Sequence, residues 1–170
     1  QAILDGVFNE TILVYRYGIA GIVYAIYLLL RRMNMRLTRR EVKEVSLAGV
    51  GGYGITAFFL MWSYHYMPTG VATAIHFFYP VVVALLMAIF YKERLPLEVK
   101  AGIVLAICGV YLLSWTPGEV KWLGLFFVLM STVTYGCYIT ALNRPVLKRM
   151  NPDVLTCYVL LFTALFYLIL

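Results

Sequence analysis

The sequence predicts an all-α integral membrane protein. Of its 170 residues, 63% are hydrophobic and only 13% are charged, with a mean hydropathy of +0.86, whereas soluble domains are about half apolar and about a quarter charged. A soluble chain this short cannot bury so much apolar surface in one core. The apolar residues also form six stretches of membrane-spanning length without the alternation of barrel strands. Each stretch is therefore expected to be an α-helix, because backbone groups in lipid must bond internally.

The six predicted spans follow one another with short connections. They are A (12–30), B (45–66), C (70–91), D (99–115), E (122–142) and F (154–170). The turn residues agree with these limits. Asn151-Pro152-Asp153 before span F is typical of a capped helix start with proline in the first turn. Pro68-Thr69-Gly70 forms a tight turn, so spans B and C are expected to be antiparallel neighbours.

Basic residues are distributed unequally between the two ends of the spans. Twelve of the 14 lie in or beside the A–B, C–D and E–F connections, while Lys121 lies in the D–E connection and Arg16 lies inside span A. The positive-inside rule therefore places the first three connections in the cytoplasm. We interpret the excess of basic residues as a topology signal and as a contact with anionic lipid. Its placement in short connections between apolar spans argues against nucleic-acid binding. Span A then starts outside, so we expect a fragment, truncated at both ends, that lacks at least one N-terminal helix.

Span C carries the strongest signal for a solute pathway. Pro80 lies at its midpoint, where proline removes a helical hydrogen bond and kinks the helix. In a continuous helix, Thr73, His76 and Pro80 would share one face. Ionisable residues at membrane depth are costly and usually face the protein interior. The alternative interpretation is a structural kink in which His76 bonds a neighbouring helix.

Polar residues on two other spans extend this hypothesis. Ser131, Tyr135 and Tyr138 share a face of span E near mid-depth, where they would contact a solute or bond another helix. Arg16 lies in the outer half of span A, at about the depth of His76. It would either face the same chamber or snorkel to the outer interface.

Small residues predict where the helices pack against each other. Membrane helices pack through small side chains, and a stripe of them runs along one face of span B. The stripe consists of Ala48, Gly52, Thr56 and Ser63. Tight packing and a cavity-lining face are both open interpretations of this stripe.

Signals for an enzyme are absent from the sequence. It has no zinc-protease or hydrolase motif, and Cys108, Cys137 and Cys157 lack metal-ligand spacing and are read as packing residues. All eight acids lie in connections or at span ends, so no buried carboxylate is available for ion coupling. We therefore expect no enzyme activity, no cofactor and no metal.

A combination of motifs runs from span B into span D. Pro80 lies mid-span, Glu93 and Arg94 end span C, and Gly102 and Gly109 follow on span D. In this order they resemble the EamA family of the drug/metabolite transporter (DMT) superfamily. Further residues that resemble the family's second helix and the start of its second repeat are Arg16, Gly124, Tyr135, Gly136 and Arg144. We read Glu93, Arg94, Gly102 and Gly109 as structural residues of the family.

The resemblance implies a ten-helix bundle of two inverted five-helix repeats, of which this chain is a six-helix fragment. Residues 1–116 would be the first repeat without its first helix (helices two to five), and residues 117–170 the truncated start of the second (helices six and seven). The central pathway would be lined largely by spans B, C and E.

The function that the resemblance implies is secondary transport of small organic metabolites or drugs, by alternating access and outward. The location would be the cytoplasmic membrane of a bacterium, with a small-molecule substrate and the lipid bilayer as partners, no nucleic acid, and homodimerisation left open. Two alternatives remain: a membrane-embedded enzyme with its catalytic residues on missing helices, and a small membrane accessory protein. A second Pro-kinked helix ending in Glu-Arg in the full-length sequence would favour the carrier.

Overall fold

A computed structural model describes residues 9–92, 96–114 and 121–170. Regular structure in these ranges is helical throughout, which confirms the all-α prediction. The elements are α1 (Asn9–Leu30), α2 (Arg39–Ser46), a π-helical segment (Leu47–Gly54), α3 (Ile55–Ser63), α4 (Thr69–His76), α5 (Tyr79–Tyr91), α6 (Leu97–Ser114), α7 (Trp122–Ala141), α8 (Pro145–Lys148) and α9 (Pro152–Ile169).

The described residues contain five apolar helical stretches long enough to cross a membrane. They are Glu10–Leu30, Arg39–Ser63, Thr69–Tyr91, Trp122–Ala141 and Pro152–Ile169, and they correspond to spans A, B, C, E and F. Span D corresponds to α6, and its last residue lies outside the described ranges. Large apolar side chains on α1 and α6 are exposed, as expected for helices that face lipid.

Capping residues set two of the helix starts. Asn151 Oδ1 accepts hydrogen bonds from the backbone N–H of Asp153 at 2.9 Å and of Val154 at 3.4 Å, which confirms the predicted N-cap of span F. Thr38 and Glu41 form a reciprocal capping box at the start of α2. The helix of span B therefore begins at Arg39, earlier than predicted, and carries part of the basic cluster on its first turns.

The chain divides into two compact units. One, here called the terminal unit, consists of the described residues up to Ile55 together with Ala141–Leu170, and the other, the central unit, consists of Thr56–Thr140. In the terminal unit, α1 packs along α9. A Cβ atom at Gly21 would lie 2.8 Å from Leu161 Cδ2, so glycine allows this close approach. Leu28, Val154 and Cys157 form the buried core between the two helices.

The π-helical segment also packs against α9. Thr163 Oγ1 donates to the Gly49 carbonyl at 3.0 Å, and the Tyr167 hydroxyl donates to the Gly54 carbonyl. Four of the eight residues in this segment are glycines, which allows wide turns whose carbonyls also accept side-chain hydrogen bonds. All four members of the predicted small stripe, Ala48, Gly52, Thr56 and Ser63, are buried, which confirms that this face packs.

Span C is interrupted near its midpoint, where the sequence predicts a kink, and the interruption is sharp enough to divide the membrane-length stretch Thr69–Tyr91 into two helices. Helix α4 ends at His76 and α5 begins at Tyr79, with ψ angles of 0° at Phe77 and −9° at Phe78. Pro80 lies in the first turn of α5, where its fixed φ and missing N–H favour a helix start over a kink. The face expected from a continuous helix is therefore interrupted: His76 is buried, whereas Pro80 is exposed.

The central unit has its own buried core beside this break. Met67, Ala72, Ile75 and Val128 form the core, with Tyr64 and Leu60 packed against it. The core joins α4 to α7 and to the connection after α3. These contacts confirm that the second half of span B and the first half of span C are neighbours.

A broken helix beside a histidine, serine and tyrosine cluster

His76 is the last residue of α4 and lies at the helix break. Its side chain is buried, with 9% of its surface exposed, and its Nδ1 atom lies 2.9 Å from Ser131 Oγ on α7. Ser131 is fully buried. The sequence predicted both residues as pathway candidates on separate spans, and the fold brings them into direct contact.

The hydroxyl proton of Ser131 links this contact to the backbone. Ser131 Oγ lies 2.7 Å from the Val128 carbonyl oxygen, which also accepts from Thr132 Oγ1 at 2.8 Å. A hydroxyl has one proton to donate. If it points to Val128, His76 donates from Nδ1 and its Nε2 is an acceptor; if it points to His76, Nε2 carries the proton and is a donor. The contact with Ser131 therefore allows Nε2 of His76 to be either a hydrogen-bond donor or an acceptor.

Tyrosine rings surround the imidazole. The centroid of the Tyr135 ring lies 5.3 Å from that of His76, and Tyr138 lies 5.8 Å from Tyr135. Tyr79 meets Tyr135 edge-on, with centroids 4.6 Å apart and an interplanar angle of 87°, which is a favourable aromatic geometry. We name His76, Ser131, Tyr135, Tyr138 and Tyr79 the histidine cluster.

Tyr79 is the member of the histidine cluster that the sequence interpretation missed. Its ring centroid lies 6.1 Å from that of His76, three residues earlier in the chain. The signal was its position just before Pro80, because that proline starts α5 at Tyr79.

The other predicted site residues lie at varying distances from this cluster. Thr73 lies one turn earlier on α4, with its Oγ1 atom 3.4 Å from the Tyr64 hydroxyl. Pro80 is in the first turn of α5. Arg16 belongs to the terminal unit, where its side chain is exposed and its Cζ atom lies 5.8 Å from the centroid of the Tyr17 ring.

Two glycines of α7 bring its backbone close to neighbouring segments of the central unit. A Cβ atom at Gly136 would lie 2.6 Å from Val82 Cγ1 on α5, and one at Gly124 would lie 2.7 Å from Tyr66 Cβ. Because Gly136 directly follows Tyr135, the contact with α5 helps to fix the tyrosine against the helix break. The hydrogen bond of 2.8 Å from Thr56 Oγ1 to Thr134 Oγ1 ties α3 to the same part of α7.

Comparison with known proteins identifies the family of this membrane bundle. The sequence profile of the EamA-like transporter family matches residues 3–115, more than half of the chain. The chain belongs to the EamA-like transporter family. This result confirms the resemblance found in the sequence.

Two relatives of this EamA-like protein carry transport names. It is 30% identical over 141 residues to a protein of Archaeoglobus fulgidus named as an uncharacterized transporter, covering 83% of this chain and 49% of the relative. It is 27% identical over 152 residues to a probable terminal-alkyne amino-acid exporter of Streptantibioticus cattleyicolor, covering 84% of this chain and 51% of the relative. The chain thus spans about half the length of the curated relatives it matches. No solved structure gives a significant match.

The family and the names of these relatives also bear on the predicted class of protein. Both are named as transporters or exporters, which confirms the prediction that the EamA-like protein is not an enzyme. In the described ranges, no group of three or more His, Cys, Asp or Glu side chains is placed to hold a metal ion.

The family motif residues of this EamA-like protein are only partly covered by the structure. Glu93 and Arg94 lie outside the described residues. Within the described part of the chain, a Cβ atom at Gly102 or Gly109 would meet nothing within 4 Å. The proposal that these four residues are structural therefore stays a prediction from the sequence.

Proposed function

We propose that the full-length protein is a secondary transporter that exports small organic metabolites or drugs across the cytoplasmic membrane of a bacterium. Membership of the EamA-like family and relatives named as a transporter and an exporter support this function. Five apolar helical stretches in the described residues are long enough to cross a membrane, as a membrane transporter requires. In this proposal residues 1–116 and 117–170 belong to two inverted repeats, which move against each other in alternating access.

The observation that carries the proposal is the break of span C beside the histidine cluster. Backbone outside a regular helix is tolerated at membrane depth only where protein buries it or where it lines a water-filled cavity. Discontinuous helices of this kind commonly form the substrate sites of secondary transporters. We therefore assign the solute pathway to the break, with Thr73 and Pro80 beside it and the histidine cluster facing it.

The chemistry of the cluster supports binding of a small polar organic solute. His76 offers Nε2 as donor or acceptor according to the position of the Ser131 proton, and the tyrosines offer ring faces together with hydroxyl groups. Arg16 is assigned a lesser part, on sequence grounds, as a cationic residue nearer the outer mouth.

The experiment that tests this function is solute flux in proteoliposomes that contain the full-length protein. The panel consists of amino acids, nucleosides and sugars. His76→Ala removes the proposed imidazole contact with the solute, and the loss of about 1 kcal/mol of that interaction would lower the transport rate by about fivefold. The matched control is His65→Ala, because His65 is an exposed histidine outside the histidine cluster.

His76→Gln tests whether the histidine carries a coupling proton. Glutamine keeps a hydrogen-bonding group but does not titrate. We expect transport by this variant to persist at a reduced rate and to lose its dependence on pH between about 5 and 8. Unchanged pH dependence would place the proton site elsewhere, and parental flux in His76→Ala would contradict the pathway assignment.

A further inference from the structure

The connection between α1 and α2 is held in a fixed shape. Arg32 adopts a left-handed backbone conformation with φ of 52°, which ends α1 and turns the chain. Asn34 Oδ1 accepts from the Arg36 backbone N–H at 3.1 Å, and the Tyr158 hydroxyl on α9 donates to the Met35 carbonyl at 2.8 Å. The connection is therefore tied both to itself and to α9.

A groove opens beside this connection, within the terminal unit. Its volume is about 710 Å³, and its apolar wall consists of Leu29, Met33, Met35, Leu37 and Val42. Arg36 and Asn34 line the same groove and supply its polar side. The groove therefore has an apolar wall from the end of a membrane-length helix and a cationic group beside it.

The charge around the groove is strongly positive. Residues 31–44 contain six basic and two acidic side chains. The carboxylate of Glu41 accepts from the Thr38 backbone N–H and hydroxyl, both at 2.7 Å, and that of Glu44 pairs with Arg144 at 3.0 Å. Even with both carboxylates ionised, the six basic side chains leave residues 31–44 with a net charge of +4. The side chains of Arg32, Arg36, Arg39, Arg40 and Lys43 are exposed.

We infer that this groove binds one anionic phospholipid at the basic end of the helices. The phosphate group contacts Arg36 and the neighbouring arginines, since a guanidinium group binds phosphate through two parallel hydrogen bonds. The start of an acyl chain lies along the apolar wall. Clusters of basic residues directly beside a membrane helix are typical of anionic-lipid contacts.

Charge also argues against a second copy of the chain as the occupant. In a two-fold dimer the same surface patch meets itself. Such a contact would bring two sets of exposed arginines together, whereas the phosphate of a lipid neutralises them. A zwitterionic lipid fills the apolar wall equally well but lacks the net negative charge that this surface favours.

Native mass spectrometry of the full-length protein tests the inference. The probes are phosphatidylglycerol and phosphatidylcholine with the same acyl chains, titrated onto delipidated protein in detergent. The parent protein should bind phosphatidylglycerol about fivefold more tightly or better, because one basic side chain near an anionic group contributes about this factor. Arg36→Gln should reduce that preference by about fivefold, whereas the matched control Arg149→Gln, an exposed arginine outside the groove, should retain it.

A second variant tests the groove without changing its charge. Val42→Trp fills the apolar wall and should weaken phosphatidylglycerol binding, while an unchanged melting temperature shows that the fold is retained. Equal affinity for the two lipids, or an equal loss in Arg36→Gln and Arg149→Gln, would overturn the inference. Displacement of the lipid by millimolar glycerol phosphate would overturn it too, because it would show that a phosphate group alone occupies the site.

Discussion

Ser131 determines whether the free nitrogen of His76 is a hydrogen-bond donor or an acceptor. Its single hydroxyl proton bonds either the Val128 carbonyl at 2.7 Å or the imidazole at 2.9 Å. Because both residues are buried, water does not compete for this proton. A small residue that carries no charge therefore controls whether the imidazole acts as a hydrogen-bond donor or as an acceptor.

Gly136 illustrates how one missing methyl group positions a side chain of the proposed site, that of Tyr135. A Cβ atom there would lie 2.6 Å from Val82 Cγ1 and 3.1 Å from Val82 Cβ, and β-branched valine has little rotamer freedom in a helix. We expect Gly136→Ala to destabilise the protein by about 1–3 kcal/mol, measured as a lower melting temperature in detergent.

Two further variants make this prediction specific. Val82→Ala in the Gly136→Ala background should restore part of the lost stability, because it removes the clashing methyl groups. Gly102→Ala is the control, since a Cβ atom there meets nothing within 4 Å in the described ranges. A melting temperature of Gly136→Ala equal to that of the parent would show that the two helices separate easily.

At the scale of elements, the π-helical segment depends on close contact with α9. A Cβ atom at Gly49 would lie 3.2 Å from the Val159 carbonyl oxygen and 3.3 Å from its Cα atom. These are backbone atoms, so the neighbour cannot move aside by rotating a side chain. At Gly51, two residues further along, a Cβ atom would make only an ordinary contact of 3.6 Å with Leu47 Cδ1.

These two glycines predict opposite effects within one segment. Gly49→Ala should lower the melting temperature by several degrees, because α9 must shift. Gly51→Ala should leave it unchanged or raise it, because alanine favours a helix more than glycine does. Thermal unfolding of the two variants in the same detergent measures the difference, and equal melting temperatures would contradict the packing described here.

The helix break predicts a functional effect for its proline. Pro80→Ala restores a backbone N–H that can bond the His76 carbonyl and join α4 to α5. Transport should therefore slow more than stability falls, as measured by proteoliposome flux beside the melting temperature. Pro152→Ala is the matched control, since Pro152 also lies in the first turn of its helix, where Asn151 caps the start. Parental flux in Pro80→Ala would show that the pathway does not use the break.

The sequence predicted the helical spans well because membrane length and apolarity are local properties. Asn151 and its proline fixed the start of α9 for the same reason. The π-helical segment was not predictable, since it depends on a partner far along the chain, whereas the break at Phe77 and Phe78 follows from Pro80 and only its sharpness was missed. The break accompanies the packing of α4 and α5 on α7, and the wide turns accompany hydrogen bonds from Thr163 and Tyr167.

The candidate site was predicted in part for a related reason. Ser131, Tyr135 and Tyr138 were identified from one face of one helix, and that face is continuous in α7. The contact between His76 and Ser131 joins residues 55 positions apart, which periodicity cannot pair. Tyr79 was missed because the face was traced from His76 to Pro80 by a step of four residues, which leaves out the residue three positions on.

At the scale of the whole molecule, the charge asymmetry predicts its orientation. With Cys108, Cys137 and Cys157 replaced, single cysteines at Arg36 and Lys148 should resist a membrane-impermeant thiol reagent in intact cells. A cysteine at Lys121 should react, because that connection lies on the opposite side. Labelling at Arg36 from outside would show that the orientation is opposite to the predicted one. The lipid groove would then lie in the outer leaflet.

The break in span C also constrains how the protein is inserted into the bilayer during synthesis. At 1.5 Å per residue, α4 is about 12 Å long and α5 about 20 Å, and neither covers a hydrocarbon core of about 30 Å. Yet Thr69–Tyr91 is the most apolar of the five membrane-length stretches, so the insertion machinery reads it as one segment. The two halves therefore enter together, already interrupted at Pro80, and α7 covers the polar groups at His76 when it arrives. Nascent chains stopped before Ser131 should accordingly hold this segment as one transmembrane span with its polar groups at His76 still uncovered.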